Sequence, residues 1–452
     1  MNFFKVSKFF LFIAPFAVVV VTTTTLFPFI VGKYTFFKVV IELALIAFVL
    51  GWGFAGDDAL AKKVVSKLKN PLVLAVTFFV FIFTLSGFTG VNPSASFWSN
   101  FERGEGSFLM LHFYIFFLLL SFLMDGEKDW KRIFKLSLFA GCLMIAYGVM
   151  TWFGVSGFFG GDLCSRFAGS LGNAAYVGTY SIFALFYTAY LMATGNWLSR
   201  KWRKIWLPLL ALLLLLFFSA IIMSQTRGAL FGLGAGLVIG LSYLATVLKS
   251  KKIRIPIISL IAFMVIVGGL GIYYRQSIDL LPFCKEQGGG NRLLDVSLTG
   301  ETINTRLVLW GQAIAAFKER PLLGWGPENF SIAFERHYNT VHTVWFDRAH
   351  NIFFDYLVFS GILGLLSFLG IFLIFYWALF RHKKMSYAEA IAEKNEKSKL
   401  VNYQMIVTRA LLLSLPIAYL IQGLVLFDVL PIYINLFLFL AFSGDKFTKE
   451  VI

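Results

Sequence analysis

The chain has 452 residues, 58% of them hydrophobic and only 14% charged, with a mean hydropathy of +0.78 and a formal net charge of +16. So little charge at this length excludes an ordinary soluble domain and indicates a polytopic membrane protein. The basic excess could suggest nucleic-acid binding, but its clustering in the short loops between apolar runs is a membrane-topology signal instead.

Apolar windows long enough to cross a bilayer recur along the whole chain. They fall near 10–31, 36–54, 71–89, 107–124, 133–154, 174–194, 205–223, 228–247, 256–274, 350–380, 401–426 and 430–443. The first lacks a small-residue cleavage site and is soon followed by a second span, so it reads as a retained anchor. Alternate loops carry Lys62, Lys63, Lys67 and Lys69, then Arg200, Lys201, Arg203 and Lys204, then Lys249, Lys251, Lys252 and Arg254. Lys5, Lys8, Arg381, Lys383 and Lys384 join them on one side, which the positive-inside rule makes cytoplasmic, with both termini inside. The same charges favour anionic lipid headgroups. The expected fold is all-α, a polytopic transmembrane helical bundle of about twelve spans. Its parts are N-terminal transmembrane helices over 1–274, a large extracytoplasmic loop over 275–349 containing short helices, and C-terminal transmembrane helices over 350–452. The charged stretch 386–399 reads as a surface helix or linker.

Three cysteines are too few for a disulfide framework. Cys142 lies in a span and reads as a packing residue. Cys164 and Cys284 both face outward, where a bridge between them is conceivable and two free thiols are the default. Neither has zinc-ligand spacing with a histidine.

Four outward-facing segments carry the candidate chemistry. In chain order the first is Arg166-Phe-Ala-Gly-Ser-Leu-Gly-Asn173, whose glycines permit tight turns beside an arginine at a helix entrance. Alone, it is better explained by a snorkelling arginine at a helix entrance. The second is Ser224-Gln-Thr-Arg227-Gly, wedged between two spans. An unpaired arginine at such depth costs at least ~2.5–3.5 kcal/mol, and the flanking spans hold no acidic residue to pair with it. A guanidinium fork can grip two phosphate oxygens at once. The glycines at 232, 236 and 240 that follow lie within an apolar span, where four-residue spacing means close helix packing, not a nucleotide loop.

The third segment begins at Asn304-Thr-Arg306. Apolar residues at Leu307, Trp310, Ile314 and Phe317 predict a helix with that face buried and Asn304 as its cap, which would place Arg306 in the first turn. Helix dipole and arginine would then favour an anion together; an amphipathic helix lying on the bilayer with Arg306 in solvent accounts for the segment equally well. Pro321-Leu-Leu-Gly-Trp-Gly-Pro327 stops the helix in a stiff turn. The fourth is Asp347-Arg-Ala-His350-Asn351, where the loop re-enters the membrane. A histidine there can act as a general base, with Asp347 or Asn351 orienting its ring, although taken alone a capping or packing histidine explains the position better. His337 and His342 are expected in solvent, a metal cluster from these three being weakly supported by their irregular spacing. His112 in a span and His382 on the cytoplasmic side lie away from this face.

Together these segments resemble the O-antigen ligase and polymerase superfamily of bacterial envelope enzymes. The resemblance rests on the order, spacing and shared side of Arg166–Asn173, Ser224–Gly228, Arg306–Trp310 leading to Pro321–Gly326, and Ala349-His350-Asn351 leading to Gly361 and Gly364. It covers about residues 160–380. The resemblance implies a multi-span glycosyltransferase that moves a glycan from an undecaprenyl-diphosphate carrier to a hydroxyl acceptor, either lipid A–core or another lipid-linked glycan. It implies no cofactor and no metal, diphosphate contacts from Arg227 and Arg306 with Arg166 a further one, and His350 as candidate base. Trp310, Asp347 and Asn351 are expected to line the substrate site. The expected setting is the outer face of a bacterial inner membrane, and attack opposite the leaving group would invert the anomeric centre.

A lipid or glycolipid transporter is the competing class. It would place charges along a mid-membrane path and often show an internal repeat, whereas the charges here gather on one face. A membrane scaffold would leave Arg227 without explanation.

Overall fold

The computed structural model describes residues 2–55, 58–100, 103–161, 165–195, 200–248, 250–273, 301–339, 345–381 and 396–449. Cys164, Cys284, His342, His382 and the first part of the large loop lie outside them. The described residues are helical with no strand, and ten of the helices are long and apolar enough to cross a membrane. A further apolar helix, Ser107–Leu123, is 17 residues long. The protein is an all-α polytopic membrane bundle.

The helices, in order, are α1 (Phe3–Ile13), α2 (Val31–Ala55), α3 (Asp58–Leu68), α4 (Pro71–Thr89), α5 (Pro93–Trp98), α6 (Ser107–Leu123), α7 (Glu127–Trp152) and α8 (Ala174–Thr194). They continue with α9 (Arg200–Met223), α10 (Arg227–Val247), α11 (Lys251–Tyr273), α12 (Glu301–Glu319), α13 (Phe330–Arg336), α14 (Ile352–Arg381), α15 (Glu396–Gly423) and α16 (Leu430–Lys449).

Eleven of the twelve expected spans correspond to helices. The window 10–31 does not. Helix α1 stops at Ile13, a 3-10 turn covers Ala14–Val19, and the chain then folds back so that the Thr22 N–H donates to Pro28 O at 3.0 Å. Pro15 has no N–H to give an α-helix and its ring crowds the preceding turn, so the apolar run cannot continue as one rod. Hydropathy measures greasiness and is blind to that break.

The chain forms two compact units: one of residues 1–140, 298–379 and 423–452, the other of 141–297 and 380–422. In the first unit, α16 is the central helix, buried along most of its length. Phe437 stacks on Phe113 of α6 at 5.7 Å, and Phe113 meets Phe37 of α2 at 4.9 Å. Tyr356 and Phe368 of α14 close on Phe79 of α4. At one end of this unit Asp445 accepts from Lys67 at 3.0 Å and from Trp130 Nε1 at 2.9 Å, while Lys8 and Lys63 reach Asp125. This lysine-rich end follows the C-terminus of α6. Residues 103–106 precede its N-terminus, about 26 Å away at 1.5 Å per residue.

That opposite end is organised by a helix break. Gly361 interrupts α14 with φ 61° and ψ −160°, a region open essentially to glycine. The backbone groups freed by the break are paired by the Pro321–Gly326 turn: Trp325 N to Val358 O at 2.8 Å, Gly326 N to Phe359 O at 2.9 Å, and Ile362 N to Pro321 O at 2.8 Å. A broken helix persists at membrane depth only when other protein groups satisfy it. A Cβ at Gly361 would come within 2.4 Å of Leu322 backbone atoms. Gly361→Ala is therefore expected to destabilise the protein by about 1–3 kcal/mol, as overpacking does, measured as a lowered thermal midpoint in detergent against Gly370→Ala, where a Cβ meets nothing.

In the second unit, α10 packs on α15 through the glycines at 232, 236 and 240. A Cβ on Gly232 would lie 2.4 Å from Ala418 O, and one on Gly236 would lie 2.7 Å from Ser414 O. This is the close helix packing expected of the stripe.

Candidate functional site

The arginine segments of the second unit fold against each other. Helix α9 ends at Met223 and α10 begins at Arg227, so the turn is three residues, with Gln225 at φ 49°. Arg166 crosses onto it: Nε donates to Ser224 O at 3.0 Å and Nη2 to Thr226 Oγ1 at 3.2 Å. The Phe167 N–H donates to Met223 O at 3.0 Å. Thr226 is the N-cap of α10, but its hydroxyl faces Arg166, Ser224 and Ala174 and makes no capping bond. Arg227 is then the first residue of a 21-residue helix with an uncapped N-terminus. Backbone amides, the helix dipole and two guanidiniums on one short turn make an electropositive setting suited to an anion.

The other residues lie in the first unit. Helix α12 starts at Glu301, so Asn304 is inside it and is not its cap. Nothing in Ile303-Asn304-Thr305 blocks a helix, since asparagine is only mildly unfavourable in one. The buried face also differs from the one expected. Leu309, Gln312, Ala313 and Ala316 point inward, whereas Leu307 is 55% and Ile314 40% exposed. Small alanines let the helix approach closely, and hydropathy favours the larger residues. Arg306 is half-buried on this helix.

Trp310 Nε1 donates to Ala349 O at 3.0 Å, and its ring stacks on Phe354 at 5.5 Å. Asp347 is held by Arg103, whose Nε and Nη2 reach its two carboxylate oxygens at 2.6 and 3.0 Å. Burial pushes this carboxyl up, but Arg103 and Arg348 outweigh it and hold Asp347 below its ordinary value. Asn351 is buried and uses Oδ1 to accept from Phe353 N at 2.9 Å, capping α14. Neither side chain is therefore seen orienting the His350 ring in the way first expected.

His350 is oriented by other groups. Its backbone sits in the left-handed region, φ 53°, and its ring is held edge-to-face by Phe346 at 5.5 Å and Phe427 at 5.1 Å. Nδ1 faces Arg348 O at 3.3 Å. A carbonyl can only accept, so Nδ1 carries the proton and Nε2 keeps the lone pair. Burial pushes the imidazole down to about 4; the Arg348 carbonyl and Asp347 oppose this, while the cations of Arg306 and Arg103 reinforce it. At neutral pH the ring is an uncharged acceptor.

Beside it, Arg348 is 4% exposed and bonds Glu328, Glu105 Oε2 at 3.3 Å and Asp347 O at 3.3 Å. Glu105 also accepts from Leu430 N at 3.2 Å, and Ser99 donates to Glu328 at 2.7 Å. A small cavity is lined by Glu105, Glu328, Arg348, Asp355, Asp428 and Tyr433. Burial pushes Glu105 up to about 7, Arg348 resisting and Glu328 adding to the rise. Sequence reasoning quoted Arg348 without a role and passed over the others. Asp355, the one acidic residue in the apolar run 350–380, was a signal it could have used. No group of three or more His, Cys, Asp or Glu that could hold a metal ion is found among the described residues.

Residues 212–369 match the family model described as O-antigen ligase. The chain carries an O-antigen ligase domain. Its superfamily is that of the O-antigen ligases and polymerases. The matched span of this O-antigen ligase domain includes Arg227, Arg306, Trp310, Asp347, His350 and Asn351. Arg166 and the Arg103–Glu105 loop precede it, and Asp428 follows it. No curated protein is matched by the chain.

Proposed function

We propose that this O-antigen ligase/polymerase-like glycosyltransferase moves a glycan from undecaprenyl diphosphate to the hydroxyl of lipid A–core or of another lipid-linked glycan, on the outer face of a bacterial inner membrane. The observation that carries the reading is His350 inside the matched O-antigen ligase segment: neutral, strained in backbone, fixed between two phenyl rings, with Nε2 left to accept a proton. Strained backbone of this kind gathers at functional sites. The outer-face assignment is supported by the separation of this end from the lysine-rich end of the same unit.

In the proposed reaction His350 Nε2 takes the acceptor O–H proton as that oxygen bonds to the anomeric carbon. The bond from that carbon to phosphate breaks, and its electron pair leaves on the undecaprenyl diphosphate. Attack opposite the leaving group inverts the centre. The resemblance assigns Arg227 and Arg306 to the diphosphate charge, with Arg166 as a further contact, and Trp310 is assigned to the substrate site. Fixed donors aimed at developing charge contribute about 2.7–4 kcal/mol each in comparable sites. Arg227→Ala is expected to lower turnover about 100-fold, and Arg227→Lys to recover only part, because a point charge cannot replace a bidentate fork.

The test uses purified protein in detergent with a defined undecaprenyl-diphosphate glycan and EDTA, with lipid A–core in one reaction and donor alone in another. Product on lipid A identifies a ligase, the reading we favour, and a ladder of lengthened donors a polymerase. Carrier movement across vesicles without bond formation would transfer the assignment to a transporter.

A further inference from the structure

The segment that presents His350 is pinned from both sides at the residue before it. Ala349 is fully buried; its carbonyl accepts from Trp310 Nε1 at 3.0 Å, and its N–H donates to Asp355 Oδ1 at 2.7 Å. With Asn351 capping α14, the backbone on either side of the imidazole is fixed by side-chain bonds. Asp355 is 4% exposed, and its second oxygen, Oδ2, finds no hydrogen-bond partner among the described residues while the side chain lines the acidic cavity. A neutral amide would accept the Ala349 N–H without adding another carboxylate beside Glu105, Glu328 and Asp428. Glycine is absent at 350, so the Asp355–Ala349 bond helps hold a histidine at φ 53°.

We propose that Asp355 is a positioning residue for His350, holding the imidazole through the Ala349 N–H in the pose that leaves Nε2 free for the acceptor hydroxyl. The inference rests on the reading of His350 as the base. The groups acting on the ring are Arg306 of α12, Arg103 of the loop before α6, Asp347 and the Arg348 carbonyl, besides the Phe346 and Phe427 rings. A ring released from this pose gains water and moves away from both cations.

The test compares the full-length protein with Asp355→Ala and Asp355→Asn by steady-state kinetics and by NMR titration of labelled histidine, with His350→Gln identifying the His350 signal. Asp355→Ala is expected to lower kcat about 100-fold, the scale of a small misplacement, with KM little changed. It should also raise the His350 midpoint from about 4 toward the ordinary value of about 6.5. Asp355→Asn should restore much of both, since its amide oxygen accepts the same N–H. A folded Asp355→Ala protein with unchanged kcat and an unmoved midpoint would overturn the proposal. If Asp355→Ala does not fold, Asp355→Leu fills the space without a buried charge and is held to the same two readouts. If His350→Gln keeps full activity while Asp355→Ala still moves the midpoint, the base assignment fails and the positioning stands.

Discussion

Arg348→Ala is expected to destabilise the protein by about 3–5 kcal/mol, the cost of removing one partner from a buried ion cluster. The side chains of Arg348, Glu328 and Glu105 are 4%, 2% and 7% exposed, and Asp355 faces the same cavity. Taking away the guanidinium leaves buried carboxylates without the cation that bonds them. Glu105 would then bind a proton instead, rising further above its ordinary value. Glu105 already stands near 7 by burial with Arg348 present. A carboxyl whose folded value is raised adds stability below its unfolded value of about 4.5, and that stability is lost as pH climbs toward 7. The Arg348→Ala deficit should therefore be larger at pH 8 than at pH 5.5, read as thermal midpoints in detergent. Adding Glu328→Gln should recover part of the loss, because it removes a charge that no longer has a partner. Equal deficits at the two pH values would mean that the carboxyls find other neutralisation.

The same cluster shows where sequence reasoning stops. The span near 71–89 was legible from hydropathy alone and coincides with α4, which Asn70 caps and Pro71 opens. His350 and Arg306 were singled out from the sequence for local reasons, His350 at the loop's re-entry to the membrane and Arg306 for its expected place in the first turn of a helix. Arg103–Asp347 joins positions far apart in the chain, and Arg348–Glu105 does the same. No local pattern announces such pairs; they exist only after α6, α14 and α16 have packed. The window 10–31 failed for a local reason, a proline that hydropathy does not register. On α12 the inward face was misassigned because close approach selects Ala313 and Ala316 over larger neighbours.

His350→Ala is expected to lower kcat by about 10²–10⁴-fold, the usual contribution of a positioned general base, with donor KM nearly unchanged. Its pH signature separates it from a merely structural histidine. Burial holds the imidazole near 4 and the cations of Arg306 and Arg103 deepen the depression, so in the free enzyme it is neutral down to about pH 5. The acid limb of kcat/KM, which reports the free enzyme, should fall near 4 and not at the ordinary histidine value of about 6.5. A bound diphosphate would neutralise the arginine charge that opposes protonation. The acid limb of kcat, which reports the enzyme with substrate bound, should therefore lie higher than that of kcat/KM. The base would gain proton affinity only when the donor is in place. Arg306→Gln should raise the kcat/KM limb and narrow the gap between the two. Stability has its own dependence: a histidine with a depressed folded value costs nothing above about pH 6.5, and stability is lost as pH falls from there toward 4. His350→Gln should remove that part of the acid sensitivity while abolishing turnover. Limbs that coincide near 6.5 would place the titrating group in water and remove His350 from the role of base.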